Sequence, residues 1–177
     1  MASSFFSFPN PVNDVAARTV ALGVVIMSAL ALGFGLPWMT IPLAYGFVAR
    51  VLTGPRMSPL GRFATSVVAP RLPNHRRLVP GPPKRFAQAV GALFTLGALS
   101  LYLARETTGC YVLLGMLLVP ASLEAFLGYC VGCRLFGLLM QVGIVPESVC
   151  LECRDLYGPL AAERRAARQA AEARTRS

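Results

Sequence analysis

The chain has 177 residues, of which 55% are hydrophobic and only 14% are charged, and its formal net charge is +9. A water-soluble domain carries about a quarter charged residues, so this composition excludes an ordinary soluble protein and indicates a surface covered by lipid. The basic residues lie between and after apolar runs, which favours anionic lipid headgroups over nucleic acid as their partner. We therefore expect a lipid bilayer and no nucleic acid as partners.

Two apolar runs form a first predicted hairpin. After a short polar N-terminus at residues 1–14, the run 15–35 is long enough to cross a hydrocarbon core as a helix. The run 37–52 is short and contains Pro42, but we predict a second span, with Arg50 reaching the interface at its inner end. The weak basic start and the length of the first run argue against a cleaved signal peptide.

A basic loop follows at residues 53–85 and contains no acidic residue. Within it, Ser58 is a suitable helix cap and Pro59 fits the first helical position. The next apolar residues fall on one helical face: Leu60, Phe63, Ala64, Val67 and Val68. Two interpretations remain open at this stage. The amphipathic helix lies in the membrane plane, or it packs on neighbouring protein.

A second hairpin is predicted from spans at 86–103 and 110–127. A cysteine-rich segment, 128–157, and a basic tail, 158–177, complete the chain. The predicted fold is all-α: a polytopic membrane protein with four transmembrane helices in two hairpins, a cytoplasmic amphipathic loop helix and a cysteine-rich C-terminal segment.

The distribution of basic residues predicts the orientation. Of the 17 Lys and Arg residues, only Arg105 falls in an outer turn of this topology. Cytoplasmic loops carry the excess of Lys and Arg in multi-pass proteins. We therefore expect a multi-pass protein of the plasma (inner) membrane with both termini in the cytoplasm.

The cysteines form the most informative motif. Four of the five stand in two CxxC pairs separated by 16 residues: Cys130 with Cys133, and Cys150 with Cys153. Cytoplasmic thiols stay reduced, which argues against structural disulfides. The spacing falls in the range of structural zinc sites, so one hypothesis is that the four thiolates bind zinc.

A second hypothesis is thiol–disulfide chemistry at Cys130 and Cys133, because CxxC is also the spacing of redox dithiols. Glu124, the only acidic residue inside a predicted span, is a weaker candidate. It could accept a proton from a thiol, pair with an arginine or reach the interface. We expect Cys110 to be an inert buried thiol and His75 to be solvated or lipid-facing rather than a metal ligand.

Several strings in the chain resemble one family. FLGYCVGC at residues 126–133 is similar to the GFCxGC signature of domain of unknown function 4395. GPRMSP at 54–59 with PRL at 70–72, and PPKRFAQ at 82–88, agree with this resemblance. The family consists of small, mostly actinobacterial integral membrane proteins. The resemblance therefore implies a four-span inner-membrane protein, and only Cys130 and Cys133 carry over as signature residues.

The resemblance also bears on function, because members are sometimes encoded near thioredoxin-like and sulfurtransferase proteins. This favours thiol redox or sulfur handling with such a cytoplasmic partner. The alternative is a non-enzymatic membrane scaffold with a structural zinc site. Whether the protein is an enzyme stays open at this stage.

Overall fold

The computed structural model describes residues 12–71 and 78–146. Most of the predicted polar N-terminus, His75, Cys150, Cys153 and the basic tail therefore lie outside the described residues. The chain falls into two compact units, Met1–Gly132 and Cys133–Ser177. The described part is helical apart from two short strands. Its helices are α1 (Asp14–Gly33), α2 (Thr40–Thr53), α3 (Pro59–Phe63), α4 (Gly81–Leu103), α5 (Thr107–Ser122) and α6 (Val131–Gln141).

Among the described residues, three helices are long and apolar enough to cross a membrane. They are α1, α4, and α5 together with the π-helical turn that extends it to Leu127. Large apolar side chains on these helices are exposed, including Leu93 at 72% and Val119 at 62%. Such exposure over whole helix faces is typical of surfaces that meet lipid rather than water. The all-helical architecture predicted from the sequence is confirmed. Three helices capable of spanning a membrane are also confirmed in the described part of the chain.

Helix α4 begins at Gly81, whereas the sequence predicted a start at Phe86. Pro82 and Pro83 suggested a loop, but both lie in the first helical turn. The N–H groups of a first turn have no partner within the helix, so proline is tolerated there. The earlier start moves Lys84 from the predicted loop into the helix.

The second predicted span has a different form. A 3₁₀ turn at Pro37–Met39 leads into α2, which has 14 residues, ends at Thr53 and is followed by the cap residue Gly54 with φ 65°. At 1.5 Å per residue α2 is about 21 Å long, against about 30 Å for a hydrocarbon core. Helix α2 is therefore shorter than each of the three long helices and shorter than the hydrocarbon core.

The helices pack so that α4 contacts both α2 and α5, and α5 also contacts α1. Their shared core includes Val24, Leu43, Phe47 and Leu114. The two-residue strands β1 (Val12–Asn13) and β2 (Leu78–Val79) pair antiparallel. Since β1 leads into α1 and β2 leads towards α4, the starts of these two helices lie together.

The predicted loop helix forms, with the Ser58 hydroxyl accepting a hydrogen bond from the Gly61 N–H at 3.3 Å. It is only partly α-helical, because α3 continues as a π-helical turn, Ala64–Val68, and a 3₁₀ turn. Ala64 and Ala69 pack with Ala16 and Val20 of α1. The segment therefore packs on protein along this face. Phe63, which was predicted on the apolar face, is 53% exposed.

Candidate functional site

The CxxC motif lies at the junction between two helices. Helix α5 and the π-helical turn Leu123–Leu127 together form the α5 region. It is capped by Gly128, whose φ of 68° is left-handed and suits glycine. Cys130 directly precedes α6, and Cys133 is the third residue of that helix. Backbone N–H groups at a helix start have no partner within the helix. The two thiols thus belong to a helix N-terminus, where peptide dipoles favour negative charge.

The described cysteines differ in accessibility. Cys130 is 9% exposed, and Cys133 is half-buried, which makes Cys133 the more accessible of the pair. Cys110 is fully buried in the core with Val24 and Leu114. Accessibility therefore separates Cys133 from the two buried thiols, Cys110 and Cys130.

Gly132, inside the motif, lies against α4. A Cβ at position 132 would stand 2.5 Å from the Cβ and 2.7 Å from the Cα of Ala87. Real Cβ atoms do not approach other carbons so closely, so any side chain here would force the backbones apart. The glycine permits direct contact between the chain at the motif and the first turns of α4.

Arg18 of α1 holds the end of the α5 region just before the motif. Its Nη2 donates to the carbonyl oxygens of Phe126 at 3.0 Å and Ala125 at 3.4 Å. Carbonyls at a helix end have no partner within the helix, and a cationic side chain there also complements the helix dipole. Arg18 therefore fixes the segment from which Cys130 emerges.

Glu124 lies in a buried charge cluster with residues from two other helices. Lys84 Nζ of α4 donates to Glu124 Oε1 at 2.5 Å and lies 3.9 Å from Asp14 Oδ1 at the start of α1. The side chains of Lys84, Asp14 and Glu124 are 7%, 10% and 15% exposed, respectively. The cluster joins the starts of α1 and α4 to the end of the α5 region.

Arg50 of α2 is a second buried cation. Its Nε donates to Gln88 Oε1 at 2.8 Å, its Nη1 donates to Ser58 Oγ at 3.0 Å, and its guanidinium stacks over the Phe47 ring at 4.6 Å. The expectation that Arg50 reaches the interface is wrong, because only 5% of the residue is exposed. Arg50 instead links α2, the loop helix and α4.

A family model described as domain of unknown function (DUF4395) matches residues 12–141. The chain belongs to this family. The predicted family resemblance is thereby confirmed over most of the chain. Comparisons with curated proteins and with solved structures found no match.

Within this DUF4395 chain, two of the strings that carried the resemblance contribute side chains that contact the buried cations Arg50 and Lys84. GPRMSP contains Ser58, which accepts from Arg50. PPKRFAQ contains Lys84 and Gln88, which contact Glu124 and Arg50. The string at 126–133 follows Glu124 and contains the motif cysteines. The strings at 54–59 and 82–88 therefore both supply partners of the buried charged residues.

Sequence reasoning missed Arg50, Lys84, Asp14 and Gln88 as site residues. One signal was available, because residues 1–146 of this DUF4395 chain contain only three acidic residues: Asp14, Glu106 and Glu124. Two of these three stand at the ends of apolar runs and contact the same lysine. An acid so placed in an acid-poor chain needs a cationic partner.

The structure brings Glu124 to Lys84 and places Cys130 and Cys133 at the start of α6. Cys150 and Cys153 lie outside the described residues, so the structure gives no distances among the four predicted zinc ligands. Among the residues that the structure describes, no group of three or more His, Cys, Asp or Glu side chains could hold a metal ion. The zinc hypothesis for the family member therefore rests on cysteine spacing alone.

Proposed function

We propose that the protein is an inner-membrane protein with four passes and a cytoplasmic thiol site that exchanges disulfides with a soluble thioredoxin-like protein. The observation that carries the thiol proposal is the position of the CxxC pair at the N-terminus of α6, beyond the last long apolar helix. The membrane arrangement determines which soluble proteins can reach the thiols.

The charge cluster supports four passes rather than three. Asp14 at the start of α1, Lys84 at the start of α4 and Glu124 near the end of the α5 region lie together at one end of the bundle. Helices α1 and α4 therefore leave from the same end. The chain must return to that end between them, and α2 is the helix that makes this return.

The short α2 suits this role despite its length. Arg50, near its C-terminal end, contacts Gln88, which is one turn beyond Lys84 in α4. The preceding 3₁₀ turn lengthens the return path, and a span shorter than the bilayer is accommodated by local thinning. The connection from α2 to α4 is the basic one, so the positive-inside rule places it in the cytoplasm.

The proposed chemistry is thiol–disulfide exchange. The Cys133 thiolate attacks the disulfide of the partner, forming a mixed disulfide and releasing one partner thiolate, which takes up a proton. The thiolate of Cys130 then attacks Cys133, and the second partner thiol leaves. The partner disulfide is reduced by two electrons and the Cys130–Cys133 pair is oxidised to a disulfide. The reverse sequence oxidises the partner.

Cys133 is assigned the first attack because it is the more accessible thiol. Removing the second thiol should then trap the mixed disulfide. In the Cys130→Ser variant, we expect disulfide-linked partner to accumulate on non-reducing gels of membranes treated with acid and alkylating agent. The Cys133→Ser variant should trap none.

Cys110→Ser is the matched control, because its thiol is buried away from the motif and should not change trapping. The partner is identified by mass spectrometry of the trapped adduct. Absence of any adduct in Cys130→Ser, or equal adducts in Cys133→Ser, would contradict the proposed exchange.

The alternative function is a non-enzymatic scaffold in which Cys130, Cys133, Cys150 and Cys153 bind one zinc ion. The spacing of the two pairs favours it, since each pair supplies two thiolates from one turn. The two proposals differ in the need for the second pair. A tetrahedral site loses its metal when Cys150 and Cys153 are replaced, whereas exchange through the first pair survives.

A further inference from the structure

Beside the two buried cations lies a cavity of about 250 Å³. It is lined by the start of α1, the end of α2, the loop helix and the start of α4. The polar side chains that line it belong to Asn13, Arg50, Thr65, Lys84 and Gln88. One water molecule needs a cavity volume of about 15 Å³. This cavity is many times larger and therefore has room for a ligand.

The charge of the lining is one-sided. Arg50 and Lys84 line the cavity, whereas neither Asp14 nor Glu124 does. The two acids contact Lys84 without lining the cavity, and so fix the position of its ammonium group. A ligand in the cavity therefore meets the guanidinium of Arg50, the hydrogen-bonding ammonium of Lys84, whose charge Asp14 and Glu124 offset, and no lining carboxylate.

The environment of Arg50 gives a second, independent reason to expect a bound anion. It is 5% exposed, and its hydrogen-bond partners are the neutral groups of Gln88 and Ser58. It forms no ion pair within 4 Å of a carboxylate in the described part of the chain, and Glu124 acts on it only at longer range. A buried guanidinium is costly unless an anion compensates it, and its planar fork matches the oxygens of phosphate and carboxylate.

We propose that this cavity binds a phosphate-type oxyanion, held by Arg50 and Lys84. Asn13, Thr65 and Gln88 supply the polar surroundings, and the apolar remainder of the lining accommodates a substituent on the oxyanion. The oxyanion is either a free ion or the phosphate of an anionic lipid headgroup. The chemistry of recognition is the same for both, and the proposal does not depend on the thiol exchange.

The test uses the full-length protein purified in an uncharged detergent. Inorganic phosphate is titrated at constant ionic strength, with chloride as the balancing anion, while the melting temperature is followed. A ligand that binds only the folded state raises the melting temperature by mass action. In a parallel arm, nanodiscs of phosphatidylcholine alone are compared with nanodiscs that also contain phosphatidylglycerol.

Three variants accompany the wild type. Arg50→Gln removes the unpaired cation, and Ala17→Leu fills the cavity without removing a charge, which guards against a folding defect in the first variant. Arg62→Gln is the matched control, because Arg62 is an exposed arginine of the loop helix that does not line the cavity. Loss of one charge-assisted hydrogen-bonding group should weaken apparent affinity roughly tenfold or more.

We expect stabilisation of the wild type and Arg62→Gln, with strongly weakened responses in Arg50→Gln and Ala17→Leu. A response to inorganic phosphate identifies a free oxyanion as sufficient. A response only to phosphatidylglycerol identifies a lipid headgroup. No response in either arm overturns the proposal, and so does an equal response of Arg50→Gln and wild type.

Discussion

Lys84 is the residue on which the polar interior of the bundle depends. Its ammonium group contacts Glu124 and Asp14, and its side chain is 7% exposed. A buried ion pair adds little net stability compared with apolar packing, but removal of one partner leaves uncompensated charge. In this cluster, removal of the lysine would leave two carboxylates together without their cation.

We therefore expect Lys84→Met to lower the free energy of unfolding by about 3–5 kcal/mol. Thermal unfolding of the detergent-purified protein measures the effect. Arg85→Met is the control, because Arg85 is the exposed neighbour of Lys84 in the chain. Equal melting temperatures for the two variants would show that the cluster does not hold the helices together.

The close approach of Gly132 to α4 can also be tested by substitution. Gly132→Ala should displace the motif from α4, because the new Cβ would overlap Ala87. Overpacking of this kind costs about 1–3 kcal/mol. We expect a lower melting temperature and altered alkylation rates at Cys130.

Gly115→Ala is the matched control for Gly132→Ala. No atom lies within 4 Å of a Cβ at position 115, and the position is inside α5. There, alanine should stabilise the helix by about 1 kcal/mol through propensity alone. If Gly132→Ala were as stable as Gly115→Ala, the close approach of Gly132 to Ala87 would not contribute to the free energy of unfolding.

The end of the α5 region is held in place by a side chain from another helix, α1. The π-helical turn Leu123–Leu127 and the left-handed Gly128 leave carbonyls that α5 does not satisfy, and Arg18 of α1 binds two of them. The segment that presents Cys130 is therefore positioned by a side chain more than 100 residues earlier in the chain.

Replacement of Arg18 by Gln should loosen this segment without unfolding the bundle. We expect backbone amides around Gly128 to exchange with deuterium roughly tenfold faster, since the loss of one such hydrogen bond costs about 1.5 kcal/mol. Amides in the middle of α4 should be unaffected. Unchanged exchange around Gly128 would indicate that Arg18 does not position the motif.

For the whole molecule, the decisive property is the number of membrane crossings. With four passes, residue 4 and residue 62 lie on the same side and residue 105 lies opposite. With three passes, residues 4 and 62 lie on opposite sides. We expect four, and test this in a variant whose five cysteines are replaced by serine.

Single cysteines introduced as Ser4→Cys, Arg62→Cys and Arg105→Cys are labelled in spheroplasts with a membrane-impermeant maleimide. Only Arg105→Cys should react before lysis, and all three should react after it. Reaction of Arg62→Cys in intact spheroplasts would contradict both the four-pass arrangement and the proposed orientation.

Much of the helical framework could be predicted from sequence, because long apolar runs in an acid-poor chain have few alternatives to membrane helices. The Ser58 cap was also predictable, since a side-chain oxygen followed by Pro59 is a local signal. The start of α4 was not, because proline is compatible with a loop as well as with a first helical turn, so Pro82 and Pro83 do not distinguish the two.

The buried cluster could not be predicted, because its contacts join residues distant in sequence. Lys84 is 40 residues from Glu124, and Arg50 is 38 residues from Gln88. Local patterns place a charged residue at a helix end but do not say whether it faces water, lipid or another helix. Only the folded bundle shows that Arg50 turns inward.

The central claim is that Cys130 and Cys133 form a redox pair rather than half of a metal site. We would measure zinc content and thiol oxidation together, in the wild type and in a Cys150→Ser, Cys153→Ser variant. We expect no bound zinc in either protein. We also expect a two-electron oxidation of Cys130 and Cys133 in both, monitored by mass-tagged alkylation across thiol–disulfide buffers. About one zinc per chain in the wild type, lost in the variant, would contradict it and establish the structural metal site instead.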